Sequence, residues 1–477
     1  MNNHRRENKE ETMKKNEKRK LWKQGLGTAL VCGLAVAVFP AAKADAADLL
    51  KAGPINTTAE HVTQNQPFAE RTAGSQYFRI PAFIVTQKGN LLAAADARYS
   101  TTGDGGGLDT IASVSTDNGK TWNYSFPLYF PDSDGYIGNT ATTIIDPALV
   151  QGKDGEIYCI ADVNPTGVTT MGGYKAPGEG TGYVKVNGKD YLAVTDNYDN
   201  VNTQPKDDDA TTYAYYVGDW DENGYAKILK RSDHSETGYG VDKWYNLYKV
   251  ENGEYKDTLT QKQVNSNTDI QQNIFYKGSA LHVYNTGYMM YAKTYDDGFT
   301  WTDPEILNPQ IKRPTKETAL LVSPGQGVLT SDGTIVIPFY DHGDGEENAS
   351  IIWSDDNGKT WERSNDVPGA AAGGYWSSES EVVELSDGTL RMFFRSGQGV
   401  VCYSDAVRNT SGDYVFTKPV KTGVSCTSTC NVTAISYSKT MDGKQAILVA
   451  APGGSGRANG KIFTFLVEED KLSLIHI

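Results

Sequence analysis

Ser354–Trp361 reads SDDNGKTW, and the same frame returns as STDNGKTW at Ser115–Trp122 and as TYDDGFTW at Thr294–Trp301. The shared pattern is Ser/Thr-x-Asp-x-Gly-x-Thr-Trp. Each copy follows a run of strand composition: Thr110–Val114, Tyr288–Ala292 and Ala349–Trp353. The chemistry is that of a hairpin turn. Asp accepts from backbone N–H groups inside the turn, Gly allows a positive φ, and Trp packs back under the loop. One such turn says little, but three eight-residue matches read as one unit used repeatedly. The second and third copies lie 60 residues apart (Asp296 to Asp356), and a weaker relative is expected at Ser404-Asp405, 49 residues on, with Phe416 in place of the Trp. A period near 50 points to the blades of a β-propeller. The motif supports blades and carries no chemistry of its own.

The rest of the composition agrees with an all-β chain. Of 477 residues, 49 are Gly and 28 are Tyr, a balance that suits many short strands joined by tight turns. The formal net charge of −14 argues against a nucleic-acid partner, because phosphate binding needs clustered cations. No HxxxH pair occurs among six His and no CxxC among five Cys, which argues against a structural zinc site or thioredoxin-like chemistry.

The first two copies of the turn are 179 residues apart, too long for one blade interval. The intervening stretch is rich in Asp, Asn, Tyr and Gly and holds strand-like pieces at Gly182–Val186 and Tyr213–Val217. It reads as an inserted, mostly-β accessory domain over 176–285, with one or two divergent blades as the competing reading. At the N-terminus, nine Lys or Arg between residues 5 and 23 precede an apolar run from Leu26 to Ala42 and small-x-small sites ending at Ala44 and Ala46. That order is a secretory signal peptide over 1–46. The expected product is secreted or held at the cell surface, without stable membrane insertion after cleavage.

Candidate chemistry starts at Tyr77-Phe78-Arg79-Ile80-Pro81, where an Arg interrupts an apolar strand. Unpaired, that charge would cost several kcal/mol, on the order of the penalty for any buried ion. It therefore faces an anionic ligand or a buried acid. Asp104 stands in a glycine-rich stretch, Thr102-Gly103-Asp104-Gly105-Gly106, with Asp109 close by, and Glu379 stands in Ser377-Ser378-Glu379-Ser380-Glu381. Neither glycine-rich segment, 103–107 or 453–456, is a phosphate loop, since no Lys-Ser/Thr follows.

Phe-Arg-Ile-Pro followed by the repeated turn motif resembles the exo-sialidase (neuraminidase) family of glycoside hydrolases, and is most similar to the bacterial secreted subgroup with a domain inserted in the propeller. The likeness runs from about residue 68 to 467. It implies an all-β, six-bladed β-propeller with the last blade incomplete: first part 60–175, insertion 176–285, second part 286–470, and a non-native-looking tail over 471–477. It implies substrates that are sialylated glycans or glycoproteins, a monomer, and no metal or organic cofactor. In the resemblance, Arg79, Arg395 and Arg457 hold the sugar carboxylate, and Arg98 lines the pocket. Asp104 is the acid/base, with Asp109 the alternative. Glu379 activates a tyrosine nucleophile, with Glu381 its rival. Tyrosine suits this sugar because its anomeric carbon already bears a carboxylate, which a carboxylate nucleophile would approach as a like charge. The family's tyrosine lies a few tens of residues past the third arginine. Only 20 residues follow Arg457 here, none of them Tyr. The expectation is a truncated chain with impaired turnover, and the alternative is a non-catalytic sialic-acid-binding propeller. Tyr340, in Pro338-Phe339-Tyr340-Asp341, resembles a substrate-lining residue.

Overall fold

A computed structural model describes residues 49–475 except 54, 58–65, 101, 133–140, 169–175, 265, 344, 428–429, 454–456 and 468–470. The signal segment expected at 1–46 lies outside the described residues. Alternation with period two organises the strands. In Leu91–Arg98, Leu92 and Ala94 join one apolar cluster while Ala95 and Ala97 join another on the opposite face. A strand packed on both sides needs small residues, and the run LLAAADAR supplies four alanines.

Antiparallel strands of this kind assemble into four-stranded units. Blade 1 is Tyr77–Val85, Leu91–Arg98, Leu108–Ser115 and Asn123–Leu128. Blade 2 is Thr143–Gln151, Ile157–Asn164, Tyr288–Thr294 and Glu305–Ile306. Blade 3 is Glu317–Val322, Ile335–Gly343, Glu346–Ser354 and Glu362–Arg363. Blade 4 is Ser380–Glu384, Leu390–Phe394, Val400–Arg408 and Tyr414–Phe416. Blade 5 is Thr433–Ser436, Ala446–Pro452, Gly460–Leu466 and Lys471–Ile475. The described residues thus build five of the six expected blades. Successive blades are joined by shared apolar clusters. Leu320 and Ile337 pack with Ala148 and Ile160 between blades 2 and 3. Val382 and Met392 pack with Ala319 and Val336 between blades 3 and 4, and Phe393 packs with Ile447 and Phe465 between blades 4 and 5.

The long interval between the first two turn motifs has a structural cause. The chain leaves blade 2 after its second strand and returns to it at Tyr288. In between, seven strands from Tyr183–Val186 to Glu254–Lys256 form an antiparallel meander in strict chain order. Seven consecutive strands in one sheet do not divide into four-stranded blades. The tail over 471–477 is the segment expected to look non-native. Within it, Lys471–Ile475 pairs antiparallel with Gly460–Leu466 as the outer strand of blade 5. No helix of the described residues is long and apolar enough to cross a membrane.

All three turn motifs join the third and fourth strands of their blades. In the first, Asp117 Oδ1 accepts from Lys120 N–H at 3.0 Å and Thr121 N–H at 2.9 Å, and Gly119 N–H donates to Ser115 Oγ at 2.8 Å. The residue before each glycine is left-handed (Asn118 φ 59°, Asp297 φ 62°, Asn357 φ 64°), and Asn or Asp tolerates that conformation best after Gly. Trp122, Trp301 and Trp361 are buried. The weaker relative at Ser404-Asp405 is no such turn. Both residues lie within the strand Val400–Arg408, and Asp405 forms a two-pronged ion pair with Arg391 at 2.7 Å on each arm.

These turns carry a pH prediction. Donors from Thr121 hold the Asp117 carboxyl down to about 2. At Asp356 burial pushes upward but is outweighed by the Thr360 donors, and the carboxyl also sits at about 2. An unfolded Asp titrates near ~3.9. A pKa lowered by folding stabilises the fold above the unfolded value and loses that effect as pH falls through the folded one. Acid unfolding therefore steepens between about pH 4 and 2. In the double variant Asp117→Asn, Asp356→Asn, the melting temperature should fall less steeply over that interval than in the parent.

Candidate active site

In each blade the first strand starts, and the loop between second and third strands lies, at the same end of the sheet. That end gathers the chemistry. Arg79 is near the start of blade 1's first strand, and Asp104 is on the following second-to-third-strand loop. Glu379 immediately precedes the first strand of blade 4 and Arg395 follows its second strand, while Arg457 lies between the second and third strands of blade 5. These five and Tyr340 line one cavity of about 680 Å³.

Two strained bulges open its wall. The pairing slips after Arg79 in blade 1 and after Ile145 in blade 2, and the residue next in line has a left-handed backbone: Ile80 at φ 56° and Asp146 at φ 61°. Each is followed by proline, Pro81 and Pro147. A β-branched residue at positive φ is a true outlier, and strain of this sort is retained at sites where the surrounding structure fixes it. Both bulge residues line the cavity. Asp146 escaped the sequence reading. The signal was available: Asp146-Pro147 repeats Ile80-Pro81 at the equivalent place of the next blade.

Arg98 does not line the cavity, against expectation. It is fully buried beneath it, and each of its guanidinium nitrogens donates a hydrogen bond. Nε and Nη2 donate to Asp96 Oδ2 at 3.1 and 2.6 Å. Nη1 donates to the carbonyls of Thr102 and Gly103 and to Asp104 Oδ1 at 2.7 Å. Arg79 Nη1 reaches the same Asp104 oxygen at 2.8 Å. Two guanidiniums thus fix a carboxylate that is still 34% exposed to the cavity. Arg98 is a positioning residue for Asp104. Asp109, the alternative acid, is buried outside the cavity and accepts from Phe130 N–H at 2.8 Å and from the Tyr99 hydroxyl at 2.7 Å.

On the opposite wall Arg395 Nη1 donates to Glu379 Oε2 at 2.9 Å. The backbones bracket the pair, since Arg395 N–H donates to the Glu379 carbonyl at 2.8 Å and Ser378 N–H to the Arg395 carbonyl at 3.0 Å. Arg395 Nε is buried with no hydrogen-bond partner. Glu381 shares the strand face of Glu379 and lines the cavity, but it is buried against the backbone of Gly325, where a Cβ would stand 2.0 Å from its Oε1. Burial pushes the Glu381 carboxyl far above the usual range, with only the Gln326 N–H opposing. A neutral acid makes a poor base, so Glu381 is the weaker candidate of the two for that part.

Further groups set the electrostatics. Burial raises Asp96 to about 6 even with Arg98 beside it. Asp146 is driven well up by burial and then by the charges of Asp96 and Glu379. The Tyr340 phenol, 7% exposed, is also driven well up, by burial first and by Glu379 next. Sequence reading also missed His342 and Glu347, which border the cavity and pair at 3.3 Å. Among the described residues no group of three His, Cys, Asp or Glu could hold a metal ion.

The BNR repeat-like domain matches residues 80–470. The anhydrosialidase of Macrobdella decora is 30% identical over 462 residues, covering 88% of this chain and 55% of that protein. Sialidase B of Streptococcus pneumoniae is 29% identical over 443 residues, covering 84% and 57%. The crystal structure of the intramolecular trans-sialidase from Ruminococcus gnavus with oseltamivir carboxylate aligns at a TM-score of 0.70 and 30% identity, over 86% of each chain. The chain spans about half the length of the curated relatives it matches.

Proposed function

This chain belongs to the sialidase family, and on that premise we propose that it is a retaining exo-α-sialidase acting on terminal sialic acids of glycoconjugates. One observation carries the reading: three arginines and two carboxylates, from blades 1, 4 and 5, line a single cavity. Arg79, Arg395 and Arg457 grip the sugar carboxylate. Guanidinium forks match its planar oxygens, and each charge-assisted bond contributes about 1.5–3 kcal/mol. Asp104 protonates the leaving oxygen, held in place from below by Arg98. Glu379 would take the proton of a tyrosine nucleophile, which among the described residues of the cavity only Tyr340 could supply, and Arg395 keeps that carboxylate oriented. The anhydrosialidase and the intramolecular trans-sialidase among the similar proteins favour an intramolecular outcome, in which a hydroxyl of the sugar itself displaces the enzyme. A signal segment at 1–46 and export to the cell surface or beyond complete the proposal.

A second reading, sialic-acid binding without turnover, is favoured by Tyr340. It is the one tyrosine among the described residues of the cavity, and burial makes its phenol harder to ionise. A fluorogenic sialoside assay run beside calorimetric titration with N-acetylneuraminic acid separates the two. The first reading expects turnover that Glu379→Gln lowers at least a hundredfold while binding persists. Binding without turnover selects the second, and absence of both rejects the sialic-acid site.

A further inference from the structure

Three of the four cysteines among the described residues gather where blade 4 gives way to blade 5. Val420–Ser425 pairs with Val400–Arg408 at the end of blade 4, and Thr433–Ser436 begins blade 5. Cys426 and Cys430 lie in the crossover between them, both half-buried and separated by three residues of sequence. Cys402 is buried on the adjoining strand, where Ser396 Oγ donates to its Sγ at 3.3 Å and its own S–H donates to the Val400 carbonyl at 3.4 Å. Cys426 is near enough to Cys402 and Cys430 for their charges to act on it.

The crossover is tied to both arginine loops. Cys426 N–H donates at 3.1 Å to the carbonyl of Gly399, on the loop that Arg395 opens. Thr427 N–H donates at 2.8 Å to the carbonyl of Pro452, at the end of the strand that leads to Arg457. Asn431 Nδ2 donates to the Pro324 carbonyl at 3.4 Å, and Cys430, Asn431 and Pro324 all line the cavity. We propose that Cys426 and Cys430 form a reversible disulfide, made by exchange with a small external disulfide, and that this bridge stiffens the cavity wall between Arg395 and Arg457. The bond is independent of the sialidase reading, and only its effect on sugar binding rests on that reading.

The exchange has two steps. Cys430 opens on the cavity, so its sulfur meets the external reagent first. Its thiolate attacks one sulfur of glutathione disulfide and expels a glutathione thiolate. The Cys426 thiolate then attacks the Cys430 sulfur of the mixed disulfide, expels the second glutathione thiolate and closes the ring. The two cysteines give up two protons and two electrons, and the reagent leaves with both as two thiols. Burial pushes the Cys426 thiol up to about 11, helped by the charges of Cys402 and Cys430. That suits it to the second, intramolecular step, where nearness offsets a small thiolate fraction. Cys402 is a poor competitor, because it has no exposed surface for an external disulfide to reach. A bridge here removes freedom from a segment bonded to both arginine loops, so less ordering remains when a sugar acid binds.

The test equilibrates the full chain with glutathione disulfide or with dithiothreitol, alkylates it after unfolding, and maps it by mass spectrometry. The oxidised chain should yield a bridged Cys426–Cys430 peptide that lacks two hydrogens and carries no glutathione, with Cys159 and Cys402 alkylated. Cys426→Ser should stop at a glutathione adduct on Cys430, and Cys402→Ser should leave the bridge intact. Calorimetry with N-acetylneuraminic acid should find the oxidised form binding about threefold or more tightly than the reduced form, a difference that vanishes in Cys426→Ser. Free thiols at both positions, separate adducts on both, or a bridge through Cys402 overturns the pair. A Cys426–Cys430 bridge with equal sugar affinities overturns its role in the wall. Absence of sugar binding in both forms rejects the sialic-acid reading, and thermal unfolding then decides: a higher melting temperature on oxidation supports the stiffening, and an unchanged one overturns it.

Discussion

Arg98→Met should lower folding stability by about 3–5 kcal/mol at pH 8, the range seen when one partner of a buried ion pair is removed. Methionine keeps much of the packing volume, so the loss isolates the charge. In the parent, Arg98 is the buried counter-ion of Asp96, which has no exposure of its own and whose carboxyl already titrates at about 6. Burial raises that value and Arg98 pulls it back. Without the guanidinium, the Asp96 pKa climbs further, because the remaining donor, Asp146 N–H at 2.9 Å, is a single neutral bond. The sign follows from linkage. An acid whose pKa is raised by folding stabilises the fold below its unfolded value and loses that effect as pH rises through the folded one. For the parent the loss runs from about pH 4 to pH 6, and for the variant it extends to higher pH. The deficit of Arg98→Met relative to the parent should therefore grow between pH 6 and 8. Denaturant unfolding at both pH values measures it. Arg98→Lys should recover part of the stability but not the site, since an ammonium cannot fork to Asp96, two carbonyls and Asp104 at once. A deficit below about 1 kcal/mol at pH 8, the worth of an exposed pair, would remove Arg98 from its positioning role.

Arg98 also marks where sequence reading stops. Its residue type and its place six positions before Asp104 were legible, but its burial was not. Ala95-Asp96-Ala97-Arg98 does not say that the strand is packed on both faces, and that packing turns a pocket arginine into a buried support. The blades were legible because the turn motif repeats and because Asp, Gly and Thr there act locally. The interval of 179 residues signalled extra chain between the first two motifs, whereas the seven-strand order of that stretch depends on non-local pairing. Asp146 was hidden for a different reason. Strand alternation alone assigns it a face, and only the bulge with its left-handed backbone turns it into the cavity. His342 and Glu347 sit on neighbouring strands of blade 3 directly opposite each other in register, a relation that no single stretch of sequence contains. Glu381 looked as good as Glu379 on residue type. They differ in environment: one carries an arginine, the other sits against the Gly325 backbone.

Arg395→Ala should weaken binding of N-acetylneuraminic acid by roughly 10- to 150-fold, the worth of one charge-assisted bond of about 1.5–3 kcal/mol. The position of Arg395 is less redundant than that of Arg79. Arg79 works beside Arg98 on the same Asp104 oxygen, so part of its local field survives its removal. Arg395 is the sole cation hydrogen-bonded to Glu379 among the described residues, and its Nε is buried without a partner. Removing it deletes a ligand contact and leaves Glu379, 16% exposed, as an uncompensated negative charge facing the incoming carboxylate. Both effects oppose the same ligand, so the observed loss should exceed that of Arg79→Ala. The double variant Arg395→Ala, Glu379→Gln removes the repulsion and keeps the lost contact. It should bind more tightly than Arg395→Ala and less tightly than the parent. Calorimetry on the three proteins tests the order. If Arg395→Ala binds the sugar acid like the parent, its carboxylate is held elsewhere and the arginine wall is not the anion site.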